Sequence, residues 1–250
     1  MLQSEPAALI MAGGRSERMR ASGAPEHKGL RTVFGLPLVE CNLRALLHFG
    51  FRRLFVAVNE SERELLGWID GPGRKVARQR AATLDVLVES QPRGTIGAVA
   101  GLPGDAGEVV IVNVDNLTSL DLRELAQRHR GAGAAATIAT HSQPFAIPFG
   151  MLEIEDDRVV AYREKPSLPV PISSGTYVLS RRAIGCVSRE TRFDLPALIA
   201  RLLDAGEIVH AHPHADGWID VNDEAALARA QALVAGNPAA WPWLCSGGTS

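Results

Sequence analysis

Apolar positions in the first half of the chain fall in short, nearly unbroken runs separated by amphipathic stretches. The runs at 7–12, 53–58, 84–89, 108–114 and 134–140 predict strands. The stretches at 38–49, 61–68, 95–101 and 120–130 carry apolar residues at helical spacing and predict helices. An unbroken apolar run suits a strand covered on both faces, and strands alternating with helices predict parallel pairing. The expected fold class is therefore α/β, with a Rossmann-like mixed, mostly parallel sheet flanked by helices.

After Pro148 the texture changes to shorter strands at 150–154, 158–163 and 174–180, then a helix at 194–205 and a strand at 207–212. A closing helix is expected from Asp220 to Val234, with Asn222 or Asp223 as its N-cap. Residues 70–82, with Gly71, Pro72 and Gly73 before Arg74, Lys75, Arg78 and Arg80, read as a loop and a short basic helix. Residues 1–236 are expected to form one domain. The tail 237–250, with Trp241 and Trp243, reads as a frayed or surface-docked extension whose tryptophans can also pack on a partner subunit.

Composition narrows the classes. A chain of 250 residues with 46% apolar and 22% charged residues can bury a large core. Its net charge of -2 gives no global attraction to nucleic acid, so an anionic substrate must be met by local cations. No apolar run approaches the roughly 18 to 20 residues of a membrane span, and Met1 to Pro6 lacks the features of a secretory signal. A cytoplasmic protein with no membrane partner is expected. Cys41, Cys186 and Cys245 are odd in number and far apart, which predicts reduced thiols.

Candidate chemistry begins where the first strand ends. Ala12 is followed by Gly13-Gly14-Arg15-Ser16-Glu17-Arg18, in which glycine admits close approach to a ligand and the arginines supply fixed charge for a polyphosphate. Glycine also serves strand-to-helix turns for geometry alone. Lys28 can close over the same phosphates or be a plain surface lysine. Asp115, directly after the run ending in Asn113-Val114, falls at the carboxyl end of a central strand, where open α/β sheets bind ligands; capping the next element is the other reading. With Asp220 it would give the two carboxylates that a nucleotide-bound Mg²⁺ needs. Gly94-Thr95-Ile96-Gly97-Ala98, after Gln91, can lie against a base or simply cap a helix through Thr95. Glu164-Lys165-Pro166 can grip a sugar phosphate or be a surface ion pair.

In this order the motifs resemble the sugar-phosphate nucleotidyltransferases, the nucleotide-sugar pyrophosphorylases, from about residue 7 to 234. The resemblance implies transfer of a nucleoside monophosphate from a triphosphate to a sugar phosphate, with Mg²⁺ as cofactor and pyrophosphate as co-product. It implies a nucleotide-binding part over about 7–148 and an acceptor-binding part over about 149–236. Arg18, Lys28 and Lys165 take catalytic places. Ala12, Gly13, Gly14, Arg15, Ser16, Gln91, Gly94, Thr95 and Asn113 take nucleotide-binding ones. Gly150, Glu164, Lys165, Ser174 and Gly175 fall on the acceptor pocket, and Asp115 and Asp220 on the metal sites. A homo-oligomer is left open.

The chain departs from the family pattern in three places. Residues 15–19 are closer to the molybdenum-cofactor guanylyltransferases, Val114 replaces a usual glycine, and Ser173 replaces a usual asparagine. A β-branched side chain at 114 would take up acceptor space and favour a cyclitol phosphate. The Gly-Thr-Ile-Gly-Ala form favours GTP. A molybdopterin-type guanylyltransferase and a non-catalytic regulatory homologue remain as alternatives. A nicotinamide-dependent dehydrogenase does not fit, since the first strand lacks Gly-x-Gly-x-x-Gly and Asn59 ends the second.

Overall fold

The computed structural model describes residues 6–13 and 27–245. Strand β1 (Ala7–Met11) is followed by a 3-10 turn at Lys28–Leu30, the small ladder β2 (Thr32–Val33) and β3 (Leu36–Pro37), and helix α1 (Leu38–His48). Next come β4 (Arg53–Asn59), α2 (Arg63–Trp68), α3 (Arg74–Arg78), β5 (Thr83–Glu89), β6 (Glu108–Asn113), β7 (Asn116–Thr118) and α4 (Leu122–Gly131). The remainder comprises β8 (Ala136–Ala146), β9 (Met151–Glu155), β10 (Arg158–Arg163), β11 (Ser167–Ser180), α5 (Arg181–Gly185), α6 (Leu195–Asp204), β12 (Val209–His214), β13 (Trp218–Asp220), α7 (Glu224–Gly236) and α8 (Pro242–Cys245).

Seven strands form one sheet in the order β12-β8-β11-β6-β1-β4-β5. Strands β6, β1, β4 and β5 pair in parallel, as do β8 and β12, and only β11 runs against its neighbours. The mixed, mostly parallel sheet expected from the sequence is what the chain forms. Alternate residues of β1 enter opposite layers. Ala8 and Ile10 join Leu43, Leu46 and Leu125 on one face, and Ala7 and Leu9 join Val99, Leu198 and Leu202 on the other. Burial on both faces explains why these strands read as continuous apolar runs.

Several elements differ from the sequence reading. Residues 69–73 make a π turn that joins α2 to α3 in place of a loop. Strands β8 and β11 run further than expected, pairing from Ser167↔Ala146 to Ser173↔Thr140 beyond the edge of the core. Pro144, Pro169 and Pro171 hide this arm in the sequence, since proline cannot donate to a ladder and reads as loop. The segment at 95–101 is a 3-10 turn over Gly97–Gly101, not a helix capped by Thr95. The closing helix starts later than expected, at Glu224, with the Asp223 carboxylate accepting from the Ala226 N–H.

The largest correction concerns the tail. Trp241 is 1% exposed and Trp243 6%, both within a third apolar cluster that includes Leu38, Cys41 and Ala45 of α1. Trp243 stacks edge-on against Phe49, with ring centroids 5.2 Å apart. The tryptophans thus face this chain's own α1 rather than a partner. No helix among the described residues is long and apolar enough to cross a membrane.

Candidate active site at the switch point of the sheet

From β1 the chain steps outward to β4 and β5, then returns to place β6 on the other side of β1. The strand order therefore reverses between β1 and β6, and a crevice opens outside their carboxyl ends. Gly13 lies at one lip and Asn113 to Asp115 at the other. The loop between them is tied in place, since the Val114 N–H donates to Met11 O at 3.0 Å.

Lys28 reaches this crevice by local packing. The His27 Nδ1 accepts from the Gly29 N–H at 3.0 Å, which puts the ring proton on Nε2, and Nε2 donates to Ala12 O at 3.0 Å. The buried imidazole therefore pins the chain's return to the end of β1. Gly29 presses on Val114, where an added Cβ would stand 3.0 Å from Cγ2. Held this way, the Lys28 Nζ lies 2.6 Å from Asp115 Oδ2, with the two side chains 20% and 19% exposed. An ion pair this sheltered is screened far less than a surface one.

Asp220 arrives from a distant part of the chain. In the antiparallel ladder of β7 and β13, Asn116 pairs with Asp220, and the Val221 N–H donates to Asp115 O at 2.8 Å. Burial first, and then the negative charge of Asp115, push the Asp220 carboxyl above its ordinary range, while Lys28 pulls it back. The Asn222 amide donates to Asp220 Oδ2 at 3.3 Å. Two carboxylates that oppose one another beside a movable ammonium are a suitable donor set for a hard divalent cation. Among the described residues no cluster of three or more His, Cys, Asp or Glu can hold a metal alone. Phosphate oxygens and water would have to complete the shell, as Mg²⁺ prefers.

Gly14, Arg15, Ser16 and Arg18 lie outside the described residues. Ala12 is fully buried with its N–H bonded to Ala57 O and its C=O to His27, so both its backbone groups are engaged within the protein. Asn113 stands beside Gly175. At Gly175, φ is +71°, and an added Cβ would fall 1.9 Å from Asn116 Nδ2 and 3.0 Å from Asn113 Nδ2. Gly175→Ala should therefore lower stability by about 1–3 kcal/mol, read from a urea midpoint, because strain and a clash add. An unchanged midpoint would show that the asparagines move aside freely.

Other predicted residues serve the frame. Val114 is fully buried in the main core, and its backbone carbonyl accepts from the Asn42 amide at 3.0 Å. It fills space under Gly29 and takes none from an acceptor, which corrects the sequence reading. The Ser174 Oγ donates to Ala139 O at 2.9 Å with His214 Nε2 at 3.2 Å, and its C=O accepts from Trp218 Nε1 at 2.7 Å. Those groups are engaged within the protein. Gly94 and Thr95 brace α6, since the Thr95 N–H donates to Asp194 Oδ1 and Thr95 Oγ1 accepts from the Leu195 N–H. A Cβ on Gly94 would meet Phe193 O at 2.5 Å.

Of the expected acceptor residues, Gly150, Glu164 and Lys165 lie apart from this crevice in the bonding pattern, whereas Gly175 abuts Asn113 at its lip. Gly150 gives room to Tyr162, whose hydroxyl would stand 2.2 Å from an added Cβ and donates to Glu164 Oε2 at 2.7 Å. Glu164 and Lys165 are exposed in the turn between β10 and β11, with Lys165 at φ 42°. Neither contacts Lys28, Asp115 or Asp220 through a hydrogen bond or ion pair among the described residues.

Two residues that the sequence reading missed are His27 and Glu89. His27 carried no pattern signal, because its partners are backbone atoms 15 and 2 residues away. Glu89 had one, an acidic residue ending an apolar strand. Its carboxylate lies against Gly13, whereas Gln91, singled out from the sequence, is exposed past the strand end.

An open α/β sheet with a cation and two carboxylates at its switch point defines a nucleotide-handling class of protein. Comparison with known proteins makes the class particular. Residues 7–236 match the model of the nucleotidyl transferase family, and the chain belongs to that family. It is 28% identical to the bifunctional protein GlmU of an Exiguobacterium species over 91% of this chain and 52% of that protein. It is 26% identical to the UTP–glucose-1-phosphate uridylyltransferase of a Synechocystis species over 86% of this chain and 59% of that protein. The chain thus spans between half and two thirds of the length of these relatives. Its fold is similar to the crystal structure of HddC from Yersinia pseudotuberculosis complexed with GMP-PN. There the TM-score is 0.69 at 19% identity, over 91% of this chain and 98% of that one. The resemblance read from the motifs is borne out at the level of the family.

Proposed function

We propose that this chain transfers a nucleoside monophosphate, GMP from GTP by preference, to a sugar 1-phosphate or a related cyclitol phosphate, releasing pyrophosphate. The observation that carries the reading is the meeting of Lys28, Asp115 and Asp220 at the switch point. An oxygen of the acceptor phosphate attacks the α-phosphorus, a new P–O bond forms, and the bridging P–O bond to the β-phosphate breaks. The attacking oxygen is already ionised and needs no general base, so positioning and charge stabilisation supply the rate.

Asp115 and Asp220 would hold Mg²⁺, which when bound neutralises charge on the phosphates. With its carboxylate partner taken up in that way, the Lys28 ammonium is free to turn to the departing pyrophosphate. Arg15 and Arg18 would hold the β- and γ-phosphates, and Gly13, Gly14 and Ser16 their oxygens. Lys165 would bind the acceptor phosphate and Glu164 its hydroxyls, with Gly150 and Gly175 shaping the pocket. For Lys165 and Glu164 this requires the exposed β9–β10 unit to approach the crevice when substrate binds. The cyclitol option no longer draws on Val114 and stands only as one member of the acceptor class.

The test is pyrophosphate release with Mg²⁺, crossing the common nucleoside triphosphates with sugar 1-phosphates and cyclitol phosphates, with Asp115→Ala as the control. Release that requires one triphosphate, one acceptor and Asp115 is the expected result. Triphosphate binding with no turnover across the panel would point to an acceptor outside it, and no turnover with no binding would favour the regulatory homologue.

A further inference from the structure

Behind the crevice, β12 presents His210, His212 and His214 at alternate positions, in register with Thr137, Ala139 and His141 of β8. The His214 side chain is 2% exposed. Its Nε2 lies 3.2 Å from Ser174 Oγ, while the one hydroxyl proton of Ser174 is engaged on Ala139 O at 2.9 Å. Ser174 Oγ therefore accepts from His214, and the imidazole carries its proton on Nε2. Nδ1 is left buried with no hydrogen-bond partner among the described residues, with Asp216 Oδ2 3.7 Å away. Burial above all holds the His214 pKa below its ordinary value; His141 and His212 act the same way and Asp216 opposes them. The ring is thus neutral near pH 7 and has one N–H to give. An orphaned buried nitrogen costs stability that leucine in the same space would not, so core packing alone does not account for a histidine here.

The N–H of His214 holds a serine from which two routes lead to the same carboxylate. Ser174 is 1% exposed, and its C=O accepts from Trp218 Nε1 at 2.7 Å. The Trp218 ring also lies against His141, with centroids 5.3 Å apart, and His141 lies against His214 at 5.5 Å. Three rings therefore enclose Ser174. Trp218 opens β13, a strand of three residues whose last is Asp220. On the other route, Gly175 follows Ser174 and abuts Asn113 and Asn116, and Asn116 pairs with Asp220 across the ladder. Asp220 is thus braced from Ser174 both along its own strand and from the facing one.

We propose that His214 is a positioning residue for the metal site, its Nε2–H fixing Ser174 so that Asp220 is held at the separation from Asp115 that one divalent cation needs. This rests on the proposed nucleotidyl transfer, in which those carboxylates hold the Mg²⁺ of the triphosphate. A strand of three residues fixes a carboxylate weakly by itself, and Mg²⁺ demands near-octahedral geometry with ligands at about 2.0–2.1 Å. Small tilts of β13 therefore weaken its grip. His214 touches neither metal nor nucleotide, and its effect passes through Ser174. Leucine fills similar space and donates nothing, whereas glutamine can offer the same hydroxyl an amide N–H.

Calorimetric titration with ATP, CTP, GTP, UTP and dTTP, each in Mg²⁺ and in EDTA, tests the assignment on wild type, His214→Leu and His214→Gln. For the triphosphate that wild type binds most tightly, the ratio of affinity in Mg²⁺ to affinity in EDTA should fall about tenfold in His214→Leu, with affinity in EDTA unchanged. His214→Gln should restore most of the ratio. Ser174→Ala removes the acceptor instead of the donor and should give a similar fall, and the double variant with His214→Leu no more than either alone. Thermal melts establish that each variant is folded, and if the leucine variant is not, Ser174→Ala against wild type decides. A wild-type ratio in the folded variants, or an equal loss in Mg²⁺ and in EDTA, would reduce His214 to a packing residue and leave nucleotidyl transfer standing. Wild type that binds none of the five triphosphates would overturn both.

Discussion

Lys28→Ala should lower the rate of pyrophosphate release by about 10²- to 10³-fold, with a much smaller change in KM for the triphosphate. The size is that of removing one preorganised charge from a group on which charge develops in the transition state. The ammonium lies 2.6 Å from Asp115 in a partly buried site, and on the proposed reaction it has only to exchange that carboxylate for the departing pyrophosphate. Its loss has a second effect, because Lys28, ahead of the Asn222 amide, opposes the upward push on the Asp220 carboxyl from burial and from Asp115. Without it, Asp220 should hold its proton to higher pH, and metal affinity at mildly acidic pH should fall. Steady-state kinetics on the purified variant, with a thermal melt to establish folding, decide the matter. A rate within a few-fold of wild type would remove Lys28 from the reaction and leave it a structural partner of Asp115.

Trp241→Ala should cost about 3–5 kcal/mol of stability, the range for truncating a large aromatic that is fully enclosed. Trp241 is 1% exposed, and it packs on Gly217, where an added Cβ would stand 2.8 Å from its ring. Gly217 in turn bonds Ser119 through both backbone groups just before β13, the strand that carries Asp220. The loss is a large share of the roughly 5–15 kcal/mol by which domains of this kind are stable. It should appear in a urea midpoint, and activity should fall in parallel as β13 loosens. A loss under about 1 kcal/mol would mean that the tail only rests on the surface.

The central strands and their order of appearance were legible in the sequence because β1, β4 and β6 are buried on both faces, and such strands leave unbroken apolar runs. Lys28, Asp115 and Asp220 were legible because each lies at the boundary of such a run or in a short motif of its own. The same local logic explains Asp223, whose carboxylate caps the helix that follows it. These features depend on neighbours a few residues away, and the one-dimensional pattern records them.

Tertiary structure alone decided the rest. The ladder of β7 and β13 brings Asp220 to Asp115 across 104 intervening positions in the chain, and no local signal encodes that register. Val114 turned into the core, Ser174 bonded inward and Thr95 braced α6, since a side chain's direction follows from what packs on the other side of the sheet. The tail tryptophans found α1 for the same reason. Glu89 gained its place beside Gly13 only through β4, which stands between the two strands. Sequence pattern determines which residues must be buried or punctuate the chain, through short-range hydrophobic and backbone preferences. Which buried and polar groups then face each other depends on long-range packing, and most of the site's geometry belongs to that second kind.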